Sequence, residues 1–252
     1  MIKKFIKNFV RISGYDIVRY TKLGDFPRDF KKDEVEIINS VRPYTMTSDE
    51  RLYTLIHAVR YLTKNNVPGD IVECGVWKGG SMMAAIKVLQ GLNREEKNIY
   101  LYDTFEGMAA PTDNDSKIDG TIAKEAFEQY KVDQDSSTWC RADIEEVRGA
   151  VCGTGYDKSK IHLVKGKVEE TIPKTIPEKI ALLRLDTDWY ESTKHEMVHL
   201  FPRLVPGGVL ILDDYGSWLG AQKAVDEYIA KNNIKIFLAR VDNSGRVAVK
   251  LN

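Results

Sequence analysis

Ile180-Ala-Leu-Leu-Arg-Leu-Asp186, followed by Gly207-Gly-Val-Leu-Ile-Leu-Asp213-Asp214, is the stretch whose reading decides the fold. Both segments are apolar runs of strand length that stop abruptly in carboxylates. In an open α/β sheet, ligands bind just beyond the carboxyl ends of the strands. Two neighbouring strands ending this way would bring Asp186, Asp213 and Asp214 to one spot. Like charges brought together repel, and the arrangement persists only where something cationic offsets it. A divalent metal is the natural candidate.

Outward from these runs the chain alternates strands and helices, the pattern of a parallel sheet with crossovers. Strands are expected at 70–74, 98–103, 160–165, 179–186 and 208–213. Two more, at 235–240 and 246–251, flank Val241-Asp-Asn-Ser-Gly245, whose Asp, Asn and Gly suit a hairpin turn. That makes a seven-stranded sheet, mostly parallel, with the last pair antiparallel. Helices are expected near 80–91, 191–204 and 218–232. Another opens at Thr47-Ser-Asp-Glu50, which has capping-box spacing, continues through Leu52, Leu55, Ile56, Val59 and Leu62, and stops at Pro68-Gly69. Residues 13–44 read as an irregular lead-in. The organisation expected is therefore an N-terminal extension over 1–44 and one catalytic domain over 45–252. A long polar insertion at about 107–159, with helical patches near 121–131 and 141–150, would form a partly structured lid over the strand ends.

Composition narrows the function classes. Of 252 residues, 43% are hydrophobic, enough for a substantial core. Lys+Arg and Asp+Glu are each 37, a balance that argues against a general nucleic-acid binder. Three cysteines without metal-ligand spacing fit a reducing, cytoplasmic setting, and Cys74 reads as a small core residue. No stretch approaches the length of a transmembrane helix. The first twelve residues form a short cationic amphipathic segment with Ile2, Phe5, Ile6, Phe9 and Val10 on its apolar face. Weak contact with a membrane surface is one reading. Packing on its own domain or on a partner subunit of a homo-oligomer is the favoured one.

The first strand and turn, Asp70-Ile-Val-Glu-Cys-Gly-Val-Trp-Lys-Gly-Gly-Ser81, lack the G-x-G-x-x-G spacing of a dinucleotide site. Glu73 would repel a pyrophosphate but suits a ligand with a positive group, and S-adenosylmethionine carries a sulfonium and an ammonium and no phosphate. An ordinary βα turn, with Glu73 solvated or paired with Lys78, is the alternative. Asp103, at the end of Tyr100-Leu-Tyr-Asp103, stands where such folds place the acid that accepts the ribose hydroxyls. It tips the balance toward a nucleoside.

Taken together, Thr45-Met46, Glu73-Cys-Gly-Val-Trp-Lys-Gly-Gly-Ser81, Asp103-Thr-Phe-Glu-Gly107, Leu185-Asp-Thr-Asp-Trp-Tyr-Glu-Ser-Thr193 and Gly207-Gly-Val-Leu-Ile-Leu-Asp-Asp-Tyr215 resemble the macrocin O-methyltransferase family. Its members are metal-dependent, S-adenosylmethionine-using enzymes that methylate sugar hydroxyls, notably on macrolides and aminocoumarins. The resemblance spans roughly residues 44–230. It implies a seven-stranded class I methyltransferase fold of Rossmann-like type. It implies that Glu73, Gly75, Ser81, Asp103, Thr104 and Gly107 line the cofactor, with Thr45, Met46, Trp77 and the Gly166-Lys167-Val168 turn beside it. It also makes Asp186, Asp213 and Asp214 the metal ligands, with Asp186 as the catalytic proton acceptor. The chain departs from the family at Thr187, where glycine is usual, and in its polar lid.

Hard carboxylate oxygens without Cys or His suit Mg²⁺, with Mn²⁺ or Ca²⁺ as substitutes. The plainer alternative is that Asp213-Asp214 turns the chain and caps the next helix. Asp188, two residues beyond Asp186, would point the same way if strand geometry continued. His57, His162, His195 and His199 are expected in surface or packing roles. Of the aromatics Trp139, Trp189, Tyr190, Tyr215 and Trp218, the last is the best placed to stack on a sugar. The expected partner is a glycosylated natural product or other glycan. A nicotinamide-dependent oxidoreductase and a catalytically silent partner subunit are the competing readings.

Overall fold

A computed structural model describes residues 26–251. The expectation for residues 1–12 lies outside that range. The compact unit beginning at Lys32 is built on a seven-stranded sheet. Its strands are β1 (Asp70–Cys74), β2 (Ile99–Asp103), β3 (Ile161–Lys165), β4 (Ile180–Leu185), β5 (Leu204–Leu212), β6 (Ala239–Arg240) and β7 (Arg246–Val249). They lie in the order β3-β2-β1-β4-β5-β7-β6. The first five are parallel, and β7 runs antiparallel to both β5 and β6.

Every residue of β4 is buried, as befits the middle strand of a sheet covered on both faces. One face packs Val72, Leu183, Leu185, Leu210 and Leu212 against Met197, Leu200 and Val225. The helices are α1 (Lys32–Val41), α2 (Asp49–Lys64), α3 (Gly80–Gly91), α4 (Ala123–Tyr130), α5 (Ile144–Cys152), α6 (Val168–Thr171), α7 (Tyr190–His199) and α8 (Leu219–Lys231). Strand order reverses between β1 and β4, so a crevice opens at their carboxyl ends. The register there is tight: Glu73 pairs with Arg184, Cys74 with Leu185, and Leu185 with Leu212.

Several expected boundaries move. The lead-in contains α1, which buries Ile38 and Val41; its Glu34 accepts a hydrogen bond from Arg60 and is 3.0 Å from His57 Nε2. The helix expected over 191–204 stops at His199, because Pro202 cannot continue the ladder and a 3₁₀ turn replaces it. The edge strand expected over 235–240 pairs only at Ala239–Arg240. Ile236 and Leu238 pack on the core instead, which leaves Phe237 83% exposed. Ser48, not Thr47, caps α2, with its hydroxyl accepting from Arg51 N–H. Thr47 has a different role at the site.

The insertion is ordered by pins to the sheet's carboxyl edge. Leu219 N–H donates to Ser116 C=O and Ile118 N–H to Ser217 C=O, while Met108 N–H donates to Trp139 C=O within the insertion. Asp115, 1% exposed, accepts from Thr112 through one oxygen and from Tyr190 N–H at the start of α7 through the other.

Candidate active site

The three strand-end carboxylates converge. Asp186 N–H donates to Cys74 C=O and Asp213 N–H to Leu185 C=O, so both acids sit one step beyond the ladder on adjacent strands. One oxygen from each of Asp186, Asp213 and Asp214 lies within 4.8 Å of the others. Asp214 does not cap α8 through its side chain: Ser217 and Trp218 N–H groups reach its backbone carbonyl. Asp188 joins the group by a different route from the one expected. The strand ends at Leu185, and Asp188 turns at φ +64°, with its N–H donating to Asp214 Oδ2.

Arginine already offsets part of this charge, which the sequence reading assigned to a metal alone. Arg184, 2% exposed, donates through Nη1 to Glu73 Oε1 and Asp186 Oδ2, each at 2.7 Å. Its Nη2 donates to Asp213 Oδ1 at 2.5 Å and to Thr47 Oγ1 at 2.9 Å. Arg51 donates to Asp213 Oδ2 and, at 2.9 Å, to Asp242 Oδ2 in the β6–β7 turn. The alternative pairing of Glu73 with Lys78 is not made; Lys78 lies 3.4 Å from Glu146. Arg184 was not singled out from the sequence. Its signal was there: a lone charge inside an otherwise apolar run of a fully buried strand.

Two guanidinium groups do not balance the five carboxyl groups of Glu73, Asp186, Asp188, Asp213 and Asp214. Burial raises Asp186 well above the carboxylate range, and Asp213 and Asp214 add to that against the pull of Arg184. Burial also raises Asp214, with Asp188 and Asp213 adding to it. Asp188 is pushed up to about 7, first by burial. An oxygen-rich site reluctant to hold its negative charge fits a hard divalent cation.

Two cavities meet at this point. One, of about 390 Å³, is lined by Met46, Gly75, Trp77, Asp103, Thr104, Gly107, Lys167 and Val168, among others. The other, of about 300 Å³, is lined by Thr45, Ser81, Arg51, Lys117, Trp139, Trp218 and the three acids, among others. Met46, Trp77, Met108, Cys140, Asp186 and Asp188 face both. Thr45 and Ser81, expected beside the cofactor, therefore line the second cavity. None of the four histidines lines either.

The first cavity carries the glycine-loop and strand-end residues expected beside a nucleoside, whereas Glu73, expected among them, lines neither cavity. Glu73 is 1% exposed, and its Oε2 has no partner. Burial, opposed by Arg184, pushes its carboxyl up to about 7. A buried, half-satisfied acid calls for a cationic donor. Asp103, expected at the ribose, braces the glycine loop. Its Oδ2 accepts from Val76 and Trp77 N–H at 2.7 and 3.1 Å, and its Oδ1 from Phe105 N–H at 2.8 Å. Gly75 is explained by close packing. It lies at φ +80°, and a Cβ there would come within 1.9 Å of Asp186 C=O. Thr187 Oγ1 lies 3.2 Å from Glu196 Oε2.

Of the aromatics, Trp189 and Trp218 meet edge-on at 4.9 Å, with Trp139 against both. Tyr190 and Tyr215 instead pair with Glu227 and Asp226. Lys117 lies over the Trp218 ring, 5.4 Å from its centroid.

Comparison with known proteins agrees with this architecture. Residues 5–249 match the family model described as Macrocin-O-methyltransferase (TylF). The chain is 31% identical over 202 residues to mycinamicin III 3''-O-methyltransferase of Micromonospora griseorubida, covering 80% of this chain and 76% of that protein. It is 30% identical to demethyldecarbamoylnovobiocin O-methyltransferase of Streptomyces niveus, covering 80% and 74%. The solved O-methyltransferase NovP superposes with a TM-score of 0.73 at 27% identity, covering 83% of each chain. A Podospora anserina methyltransferase solved with SAH bound shares the fold at 14% identity, with a TM-score of 0.54 and coverage of 94% and 100%.

Proposed function

The chain belongs to the macrocin O-methyltransferase family, and on that premise we propose that it moves a methyl group from S-adenosylmethionine to a sugar hydroxyl of a glycosylated natural product, using a divalent cation, Mg²⁺ by preference. The observation that carries this reading is the meeting of the two cavities at Asp186. An acceptor oxygen in the second cavity and a methyl donor in the first would share that boundary. Glu73 Oε2 would take the cofactor's ammonium, and Asp186, Asp213 and Asp214 would hold the cation. The bound cation supplies Lewis acidity that stabilises negative charge developing on the acceptor oxygen.

The rest belongs to the chain's own side chains. Asp186, whose side chain is 27% exposed, faces both cavities together with Asp188 and is the metal-site acid reachable from each. It accepts the hydroxyl proton as the oxygen–methyl bond forms and the sulfur–methyl bond breaks, which leaves S-adenosylhomocysteine. Trp139 and Trp218 offer the acceptor apolar faces, and the pinned insertion excludes water from the aligned pair. Cys140 takes no part as a nucleophile, since burial pushes its thiol up to about 12. The reading also places the protein in the reducing cytoplasm as a homo-oligomer, with Cys74, Cys140 and Cys152 as free thiols. Among the described residues no helix is long and apolar enough to cross a membrane.

The test is turnover of labelled S-adenosylmethionine with a panel of deoxysugar glycosides. Methylation of a sugar oxygen is expected, lost in excess chelator and restored by Mg²⁺ or Mn²⁺. Undiminished turnover in chelator would overturn the metal's part, and methylation of any group other than a hydroxyl would overturn the whole reading.

A further inference from the structure

Among the described residues, Arg184 is the one side chain that touches both Glu73, the acid near the end of β1, and the acids of the candidate metal site. Its Nη1 is shared between Glu73 Oε1 and Asp186 Oδ2, and its Nη2 between Asp213 Oδ1 and Thr47 Oγ1. The guanidinium is planar, permanently charged and buried, and its two terminal nitrogens are held by four side-chain contacts. Any shift of the Asp186 or Asp213 carboxylate is therefore passed to Glu73 through one rigid group.

We propose that Arg184 is a positioning residue that couples the two sites, so that a divalent cation on the acid triad and a cationic nucleoside at Glu73 each tighten the binding of the other. The proposal rests on the function assigned above. Before either ligand binds, two nitrogens serve three carboxylates and a hydroxyl. A cation shared by Asp186 and Asp213 fixes those carboxylates, and with them the guanidinium plane and the orientation of Glu73. The second ligand then meets an acid already ordered, with Oε2 still unpartnered. By linkage the effect is reciprocal. Arg51 lacks this property: it reaches Asp213 and Asp242 but neither Glu73 nor Asp186. Lysine at position 184 would keep the charge and lose the fork that joins the partners.

The test uses the full chain, with S-adenosylhomocysteine and Mn²⁺ as probes. Calorimetry measures S-adenosylhomocysteine affinity with and without Mn²⁺, and electron paramagnetic resonance measures free Mn²⁺ with and without S-adenosylhomocysteine. In the wild type each ligand should tighten the other by the same factor, about fivefold or more. In Arg184→Lys both should still bind, with that factor near one, whereas Arg51→Lys should retain the wild-type factor. Thr47→Val, which removes only the hydroxyl contact, should lower it part way. A wild type with no mutual effect, or an Arg184→Lys protein that keeps it, overturns the proposal. Should Arg184→Lys lose its circular-dichroism signal, an unchanged factor in Thr47→Val overturns it. If the wild type binds neither probe, the methyltransferase-site reading itself falls; if it binds both without coupling, only this inference does.

Discussion

Asp214 and Glu196 are carboxyl groups whose charge the fold disfavours, for different reasons. Asp214 makes no direct pair with either arginine of the site and stands against Asp188. Its replacement by asparagine keeps the shape and relieves the repulsion. We expect Asp214→Asn to melt no lower than the wild type while its turnover falls by more than the roughly 10–100-fold typical of changes to groups supporting a metal ligand. Melting curves and single-turnover rates check this. A protein that loses turnover and stability together would instead mark Asp214 as structural. Glu196 is fully buried, with Oε1 unpartnered, and burial raises it well above the carboxylate range. A folded carboxyl that keeps its proton while the unfolded one releases it makes stability fall as pH rises above the ordinary glutamate range. For one such group the slope is on the order of 1 kcal/mol per pH unit. Glu196→Gln should therefore gain more in melting temperature at pH 8 than at pH 5. An equal change at both pH values would show that Glu196 is ionised in the fold.

At the level of elements, the site depends on how closely the loop after β1 approaches the loop after β4. Gly75→Ala sets a Cβ against Asp186 C=O and requires a side-chain-bearing residue at φ +80°. Backbone strain alone costs about 1–3 kcal/mol, so this variant should melt well below the wild type and bind S-adenosylhomocysteine weakly if at all. Normal melting with normal binding would mean that the two loops part easily. The parallel strands, the helix from residue 80 to 91 and the β6–β7 turn were legible because periodicity, glycine placement and Asp-Asn chemistry are local signals, whereas the edge strand expected over 235–240 shrinks to two paired residues. Helix α1 and the early end of α7 were not read correctly. The first is a short amphipathic segment whose apolar face shows only against its partners, and the second is a proline effect inside an otherwise helical pattern.

Across the whole molecule, the insertion is tied to the sheet's carboxyl edge at Ser116, Ile118 and Asp115. Asp115 is the buried anchor: it supplies the backbone hydrogen bond at the start of α7, and such capping contacts contribute about 1 kcal/mol. Asp115→Ala should free the insertion and raise KM for the sugar acceptor more than that for the cofactor. It should also speed proteolytic cleavage between residues 107 and 157. An unchanged cleavage pattern would show that the backbone pairing with Ser217 and Leu219 suffices. The polar composition of this segment gave no sign of its anchors, because Asp115, Tyr190 and Ser217 are far apart in the chain and meet only when the sheet is complete.

By itself the sequence determined the sheet, its acid-tipped strands and the identity of the residues that cluster there, since apolar runs, turns and strand-end carboxylates are patterns of neighbouring residues. The family resemblance rests on the same ordered motifs. The tertiary structure alone decided how that charge is managed. Arg184, unremarkable within its apolar run, meets Glu73 from one strand and Asp213 from another because β4 lies between them. Thr47 and Arg51 arrive from the start of α2. Electrostatic energy depends on distance through space and on burial, and neither quantity is written in the order of the residues.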